Sequence, residues 1–257
     1  GSRRKVALKV LRSERASTEA VRLFEREARL ARKLRSPHTV RVFDHGASDD
    51  GVYYLAMEHL VGEDLAVLAK EHGPMRPSRA VHFAVQTCRS LEEAHSVGLV
   101  HRDVKPSNLF ALSVAPDEDL LKLLDFGIVR AVDESIATLD ATSTGVMRGT
   151  PAYMAPEVCL GNAAGPAADL YGLGATLYHL LTGTPPFQGS AAEVVSRHLH
   201  QSPPALRDRR PDVPAELEAI VLRCLDKDPA KRYPDAASLR AALESCGVPP
   251  WTQADAS

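Results

Sequence analysis

No stretch of this 257-residue chain reaches the ~20 consecutive apolar residues that a membrane helix needs, and no signal sequence is visible. An initiator methionine is also missing; the chain opens Gly1-Ser2 and reads as a piece of a longer protein. Cysteine is scarce. Cys88, Cys159, Cys224 and Cys246 lie far apart and form no CxxC pair, which excludes a zinc ribbon or a disulfide framework and points to reduced thiols. The expected setting is the cytoplasm, with any membrane anchor of the parent protein lying outside this segment. Net charge is small as well: 31 basic against 33 acidic residues leave −2, so no long-range field draws the chain to nucleic acid or anionic lipid. The run Arg207 to Arg210 is too short to alter that and reads as a solvated loop. There is no internal repeat and no low-complexity block.

What is present suffices for one large domain, or two small lobes sharing a cleft, around a buried core. Val6-Ala7-Leu8-Lys9-Val10-Leu11 is short and Val-containing, which suits a strand. From about Ser17 to Arg35 the residues Val21, Phe24, Ala28, Ala31 and Leu34 recur at three- and four-residue steps, predicting an amphipathic helix. Val40 to Phe43 and Val52 to Met57 read as strands around the turn-rich Ser48-Asp49-Asp50-Gly51. After Gly62 the pattern turns helical. Val81, Ala84, Cys88 and Leu91 line one face; Leu170 to Leu181 is apolar nearly all round; Leu217 to Leu225 and Ala236 to Leu243 mark two more helices.

The chemistry is concentrated in His101-Arg102-Asp103-Val104-Lys105-Pro106-Ser107-Asn108 and in Asp125-Phe126-Gly127. These set two carboxylates, an ammonium and an amide around one point. Moving a phosphoryl group from a magnesium nucleotide to a hydroxyl asks a protein for charge placement and alignment rather than covalent chemistry, and these residue types supply both. With Val6-Ala7-Leu8-Lys9 before them and Gly149-Thr150-Pro151-Ala152-Tyr153-Met154-Ala155-Pro156-Glu157 after, the motifs resemble, in order and over nearly the whole chain, the eukaryotic-like serine/threonine protein kinases. Val6 to Lys9 and Asp125-Phe126-Gly127-Ile128-Val129-Arg130 have the flavour of the bacterial members.

The resemblance implies an α+β, two-lobed protein-kinase-like fold. A small β-rich lobe with one helix, truncated, would occupy residues 1–57, a hinge 58–62, a larger, mainly helical lobe 63–247, and a tail or linker 248–257. ATP would sit in the cleft with Mg²⁺, or Mn²⁺ in its place. Asp103 would accept or orient the proton of a serine or threonine hydroxyl, and Lys105 would offset charge on the transferred group. Asn108 and Asp125 would supply oxygen ligands of the kind Mg²⁺ prefers. Met57, the backbone of Glu58 and that of Leu60 would hold the adenine edge, with Ala7 above and Phe110 below the ring. Lys9, costly in an apolar strand unless paired, would pair with Glu27 and face the phosphates. Glu25 is the other candidate partner, though its position points it away from Phe24 and Ala28. Thr150 would bond Asp103 and Lys105. Glu157 should pair with Arg232, and Asp169 should accept backbone hydrogen bonds from the catalytic loop. Thr142 and Thr144 are expected autophosphorylation sites, with Arg102 and Arg130 as cations able to receive a phosphate. Partners would be protein substrates and a second copy of the kinase for trans-autophosphorylation, with neither nucleic acid nor membrane contacted by this segment.

Three departures qualify the match. Such kinases carry a glycine-rich loop ahead of the strand with the lysine, whereas the eight residues before Lys9 hold one glycine, so weak ATP binding and low activity are expected of these 257 residues. That shortfall also leaves open a pseudokinase-like scaffold, against which stand the intact Lys9, Asp103, Lys105, Asn108 and Asp125. Ser113 to Leu120 is a longer connection than usual between the strands under the nucleotide, and Ser107 replaces an acidic residue associated with arginine-directed substrates. A small-molecule phosphotransferase is disfavoured by Gly149 to Glu157, which resembles a platform for protein substrates.

Overall fold

The apolar run around Lys9 becomes a strand at one edge of an antiparallel sheet. A computed structural model describes residues 5–12, 18–48, 52–112, 119–127 and 151–252. Strands β1 (Val6–Arg12), β2 (Val42–Ala47) and β3 (Val52–Glu58) form a sheet in the order β1-β3-β2, with Ala7 opposite Met57 and Lys9 opposite Leu55. Period-two alternation sends Val6, Leu8 and Val10 to the surface and turns Ala7 and Lys9, both half-buried, to the other face. Helix α1 (Thr18–Ala31) covers the sheet with the predicted stripe: Phe24, Ala28 and Ala31 are buried, and the Phe24 ring meets Tyr53 edge-on at 5.4 Å.

Two boundaries differ from the sequence reading. Helix α1 stops at Ala31 rather than near Arg35, because tighter bonds from Lys33 N to Leu30 O and from Leu34 N to Ala31 O close its end. Ser36, preceding Pro37, is disfavoured from continuing a helix. The strand expected from Val40 begins at Val42, since residues 38–40 give their backbone bonds to another partner. Val40 N donates to Leu123 O and Leu123 N to His38 O, so this segment crosses to the second sheet.

That second sheet, β4 (Gly62–Asp64), β5 (Leu109–Leu112) and β6 (Leu121–Leu123), is antiparallel in the order β4-β5-β6 and floors the cleft. Gly62, at φ 151°, has no room for a side chain: a Cβ there would lie 2.0 Å from the Ala111 carbonyl oxygen. The connection between β5 and β6 returns at Asp119, whose carboxylate takes Arg79 Nε and Nη2 at 2.7 and 2.9 Å.

The helical lobe is built around α3 (Pro77–Ser96) and α5 (Pro166–Thr182), and the predicted all-apolar α5 is buried over most of its length. Among the described residues helices α2 (Leu65–His72), α4 (Pro156–Cys159), α6 (Ala191–His200), α7 (Ala215–Cys224) and α8 (Ala236–Glu244) complete it. Helix α2 is started by Asp64, which accepts from Ala66 N and Val67 N; α6 is started by the reciprocal Ser190–Glu193 capping box. Where α5 crosses α7 the backbones are so close that a Cβ on Gly174 would meet Cys224 Cβ at 2.5 Å. Gly174→Ala is therefore expected to destabilise the fold by about 1–3 kcal/mol despite alanine's better helix propensity, checked as a lower urea midpoint.

Of residues 248–257, expected as a tail or linker, the structure describes 248–252. Val248 packs against the core and the half-buried Trp251 ring lies 5.6 Å from the Arg79 guanidinium carbon, while Pro249 and Pro250 between them are exposed. Residues 253–257 lie outside the described residues. Among the described residues no helix is long and apolar enough to cross a membrane.

Candidate active site

Asp169, in the first turn of α5 and 1% exposed, fixes the catalytic loop. Its Oδ2 accepts from His101 N at 2.8 Å and from the His95 ring at 2.8 Å, and its Oδ1 accepts from Arg102 N at 2.7 Å. These bonds hold Arg102 at φ 66°, a left-handed backbone that costs a non-glycine residue about 1–3 kcal/mol unless its surroundings impose it. His101 is wholly buried. Its Nε2–H donates to Leu124 O at 2.6 Å and its Nδ1 accepts from Asp103 N at 3.2 Å, the pattern of a neutral imidazole, and burial lowers its pKa. Gly127 N donates to His101 O at 3.0 Å, so the two motifs read separately in the sequence form one hydrogen-bonded unit.

At the centre, Lys105 Nζ lies 2.8 Å from Asp103 Oδ2. Asn108 Nδ2 donates to the Asp103 carbonyl at 2.7 Å and to its Oδ2 at 3.1 Å, which leaves the Asn108 amide oxygen as the atom able to ligate a cation. Asp125 has φ 54°, the second such backbone at this site. An amide oxygen and a carboxylate are hard donors that fit Mg²⁺. Among the described residues no cluster of three or more His, Cys, Asp or Glu side chains forms a rival metal site.

The expected Lys9–Glu27 pair is not formed. Lys9 Nζ meets Asp125 Oδ2 at 2.8 Å, while Glu27, with 5% of its side chain exposed, accepts from Arg102 Nη1 at 2.6 Å. The reason is electrostatic. A carboxylate as buried as Glu27 requires a cation beside it, and the left-handed turn at Arg102 delivers a guanidinium there; Lys9, a third exposed, then takes the carboxylate that closes the floor of the cleft.

At the other end of the cleft Met57 is buried opposite Ala7, and Ala7, Leu60 and Phe110 are half-buried. Glu58 N donates to Arg41 O at 2.9 Å, and the Glu58 carboxylate accepts from Arg41 N at 2.7 Å and from Lys122 Nζ at 2.6 Å. On the far side of Asp103, Tyr153, Met154, Ala155 and Val158 line a cavity of ≈ 20 Å³ with Ala168 and Gly172. The platform is anchored by Arg232, which forks onto Glu157 Oε1 and Oε2 at 2.7 and 2.8 Å and also donates to Ala167 O and Asp226 O. Thr142, Thr144 and Thr150, with Arg130, lie outside the described residues.

Sequence reasoning missed His95, Lys122 and the Arg102–Glu27 contact. Lys122 carried the same signal as Lys9, a lysine flanked by leucines in a strand, which calls for a partner. His95 carried none; only the fold shows that the last turn of α3 faces Asp169.

A two-lobed fold with a strand-rich sheet and one helix above, helices below, and an Asp–Lys–Asn constellation in the cleft defines the class of phosphotransferase folds that use a catalytic-loop carboxylate. Residues 1–243 match the protein kinase domain family, and the chain belongs to that family. It is 37% identical over 244 residues to the serine/threonine-protein kinase pkn3 of Myxococcus xanthus, covering 93% of this chain and 45% of that protein. It is 37% identical over 245 residues to PknB of Mycobacterium tuberculosis, covering 93% and 38% respectively. The chain thus spans less than half the length of these curated relatives. Among solved structures, Rad53 1-466 in complex with AMP-PNP superposes with a TM-score of 0.72 at 27% identity, over 91% of this chain and 56% of that one.

Proposed function

We propose that this chain is the catalytic domain of an ATP-dependent serine/threonine protein kinase that moves the γ-phosphoryl group of ATP to serine or threonine hydroxyls of proteins. The observation that carries the reading is Asp103 clasped by Lys105 and Asn108, on a loop tied through His101 to Leu124 and Gly127, which flank Asp125. A scaffold has no chemical need of that arrangement. The AMP-PNP of the Rad53 complexes, a nucleotide held by relatives of this fold, supports ATP as the donor.

Asp103 orients the acceptor hydroxyl and takes its proton, while Lys105, already on Asp103, lies where it offsets negative charge on the transferred group. Asn108 and Asp125 would hold Mg²⁺, or Mn²⁺ in its place, which would offset the charge of the nucleotide phosphates when bound. Adenine would lie between Ala7 and Phe110 against Met57; since Glu58 N–H is committed to Arg41, the Glu58 contact falls to its carbonyl, and Leu60 contributes its backbone. Lys9 and Asp125 now neutralise each other, and Glu27 and Arg102 do the same. With nucleotide and cation bound, Lys9 would hold phosphate and Asp125 the cation; Lys9 would then pair with Glu27, and Arg102 would receive a phosphate on the segment holding Thr142 and Thr144. Thr150 is assigned to Asp103 and Lys105. Residues 1–57, 58–62 and 63–247 serve as small lobe, hinge and large lobe.

Incubation of the protein with radiolabelled MgATP and a generic protein acceptor is expected to yield phosphoserine and phosphothreonine without phosphotyrosine. ATP turnover with no phosphoprotein would overturn the reading. Phosphopeptide mapping is expected to find Thr142 and Thr144 modified in a second copy supplied as an inactive acceptor. The Thr142→Ala/Thr144→Ala variant should lose most of its activity; full activity in that variant would remove both sites from consideration.

A further inference from the structure

We infer that Lys122 is a positioning residue for the nucleotide, acting through Glu58, an inference that rests on the kinase reading above. Glu58 ends β3 where the chain enters the hinge, and its carboxylate is the meeting point of three segments. Oε1 accepts from Arg41 N at 2.7 Å and from Lys122 Nζ at 2.6 Å, while Glu58 N returns a bond to Arg41 O at 2.9 Å. Lys122 Nζ also reaches Thr39 O at 3.3 Å. Only 12% of the Lys122 side chain and 17% of that of Glu58 are exposed, so the pair is largely shielded from the solvent that makes surface ion pairs weak.

Its placement gives the pair a use. Lys122 is the middle residue of β6, flanked by the fully buried Leu121 and Leu123, and the chain continues through Leu124 to Asp125, two residues past the end of the strand. Two residues past this strand lies the carboxylate assigned to the cation; the strand's midpoint grips the residue assigned to adenine. The segment that crosses between the sheets is itself immobilised: Thr39 Oγ1 bonds Ser90 Oγ at 2.6 Å, and Glu93 accepts from Arg35 N and Ser36 N, both at 2.7 Å. Glu58 is therefore fastened to the large lobe rather than swinging with the small one. The spacing between the hinge backbone and Asp125, which must match the span of ATP from base to phosphates, is set in part by the Lys122 ammonium.

The test compares Lys122→Met, which keeps the apolar stem and removes the charge, with Lys122→Arg, measuring MgATP binding by calorimetry together with kcat and KM. Lys122→Met is expected to raise both Kd and KM for ATP about tenfold with kcat within about twofold of the parent, and Lys122→Arg to restore most of the affinity. Adding Glu58→Gln to Lys122→Met should cost little more, because the two act as one unit. Unchanged affinity in Lys122→Met overturns the inference alone. So does a lower urea midpoint accompanied by equal losses in kcat and kcat/KM, the mark of a merely structural role. Absence of MgATP binding by the unaltered protein overturns the kinase reading and this inference with it.

Discussion

Asp103→Asn is expected to lower phosphoryl transfer by about 10³-fold with KM for ATP little changed, the loss characteristic of removing a positioned general base. The substitution is nearly isosteric, and the bond from Asn108 Nδ2 to the Asp103 backbone carbonyl, at 2.7 Å, does not depend on the side chain. The bond from Asp103 N to His101 is equally indifferent to it. The loop should keep its shape while losing the one charge that can hold a hydroxyl in line, and Lys105 loses the anion 2.8 Å from its ammonium. Steady-state assays with mass-spectrometric detection of phosphoprotein decide the matter. A variant that kept more than about a tenth of parental kcat would show that Asp103 is not the base.

The largest expected effect on stability lies far from the chemistry. Glu157→Ala should destabilise the fold by about 3–5 kcal/mol, because it strands Arg232, 2% exposed, as a buried guanidinium without its carboxylate. Carbonyl partners remain at Ala167 and Asp226, but dipoles replace only part of what a bidentate carboxylate supplies. Converting both partners to apolar residues, Glu157→Leu with Arg232→Met, should be less damaging than Glu157→Ala alone, since no lone charge is left inside. Urea denaturation compares the two, and an ordering opposite to this would show that desolvation is not what governs the pair.

Local pattern carried the reading where pattern is the cause of structure. The 3-4 spacing around Phe24 made α1 legible, and the unbroken apolarity of Leu170 to Leu181 made α5 legible, because burial selects those residues on those faces. The Ser190-x-x-Glu193 signature of α6 was present and passed over, as was Asp64 at the head of α2. The catalytic positions proposed rest on residue types and spacing that follow from the chemistry. Partner choice was not. Lys9, Glu27, Arg102 and Asp125 are two cations and two carboxylates that admit more than one pairing, and the pairing found depends on a backbone angle at Arg102 that no local pattern specifies. The packing of Val248 and Trp251 was likewise a tertiary matter: they line a groove with α3 and α8, two helices far apart in the sequence.

The left-handed backbone of Arg102 makes that residue a mechanical tether. Glycine would occupy φ 66° at less cost, but would have nothing to extend across the cleft. With arginine there, the guanidinium is moored to α1 through Glu27 while the main chain of the same residue is moored to α5 through Asp169. A swing of α1 toward Lys9 must release the first mooring and leave the second, so the arm turns about a fixed foot. The side chain is thus tied to the small lobe while the main chain that leads to Asp103 is tied to the large one.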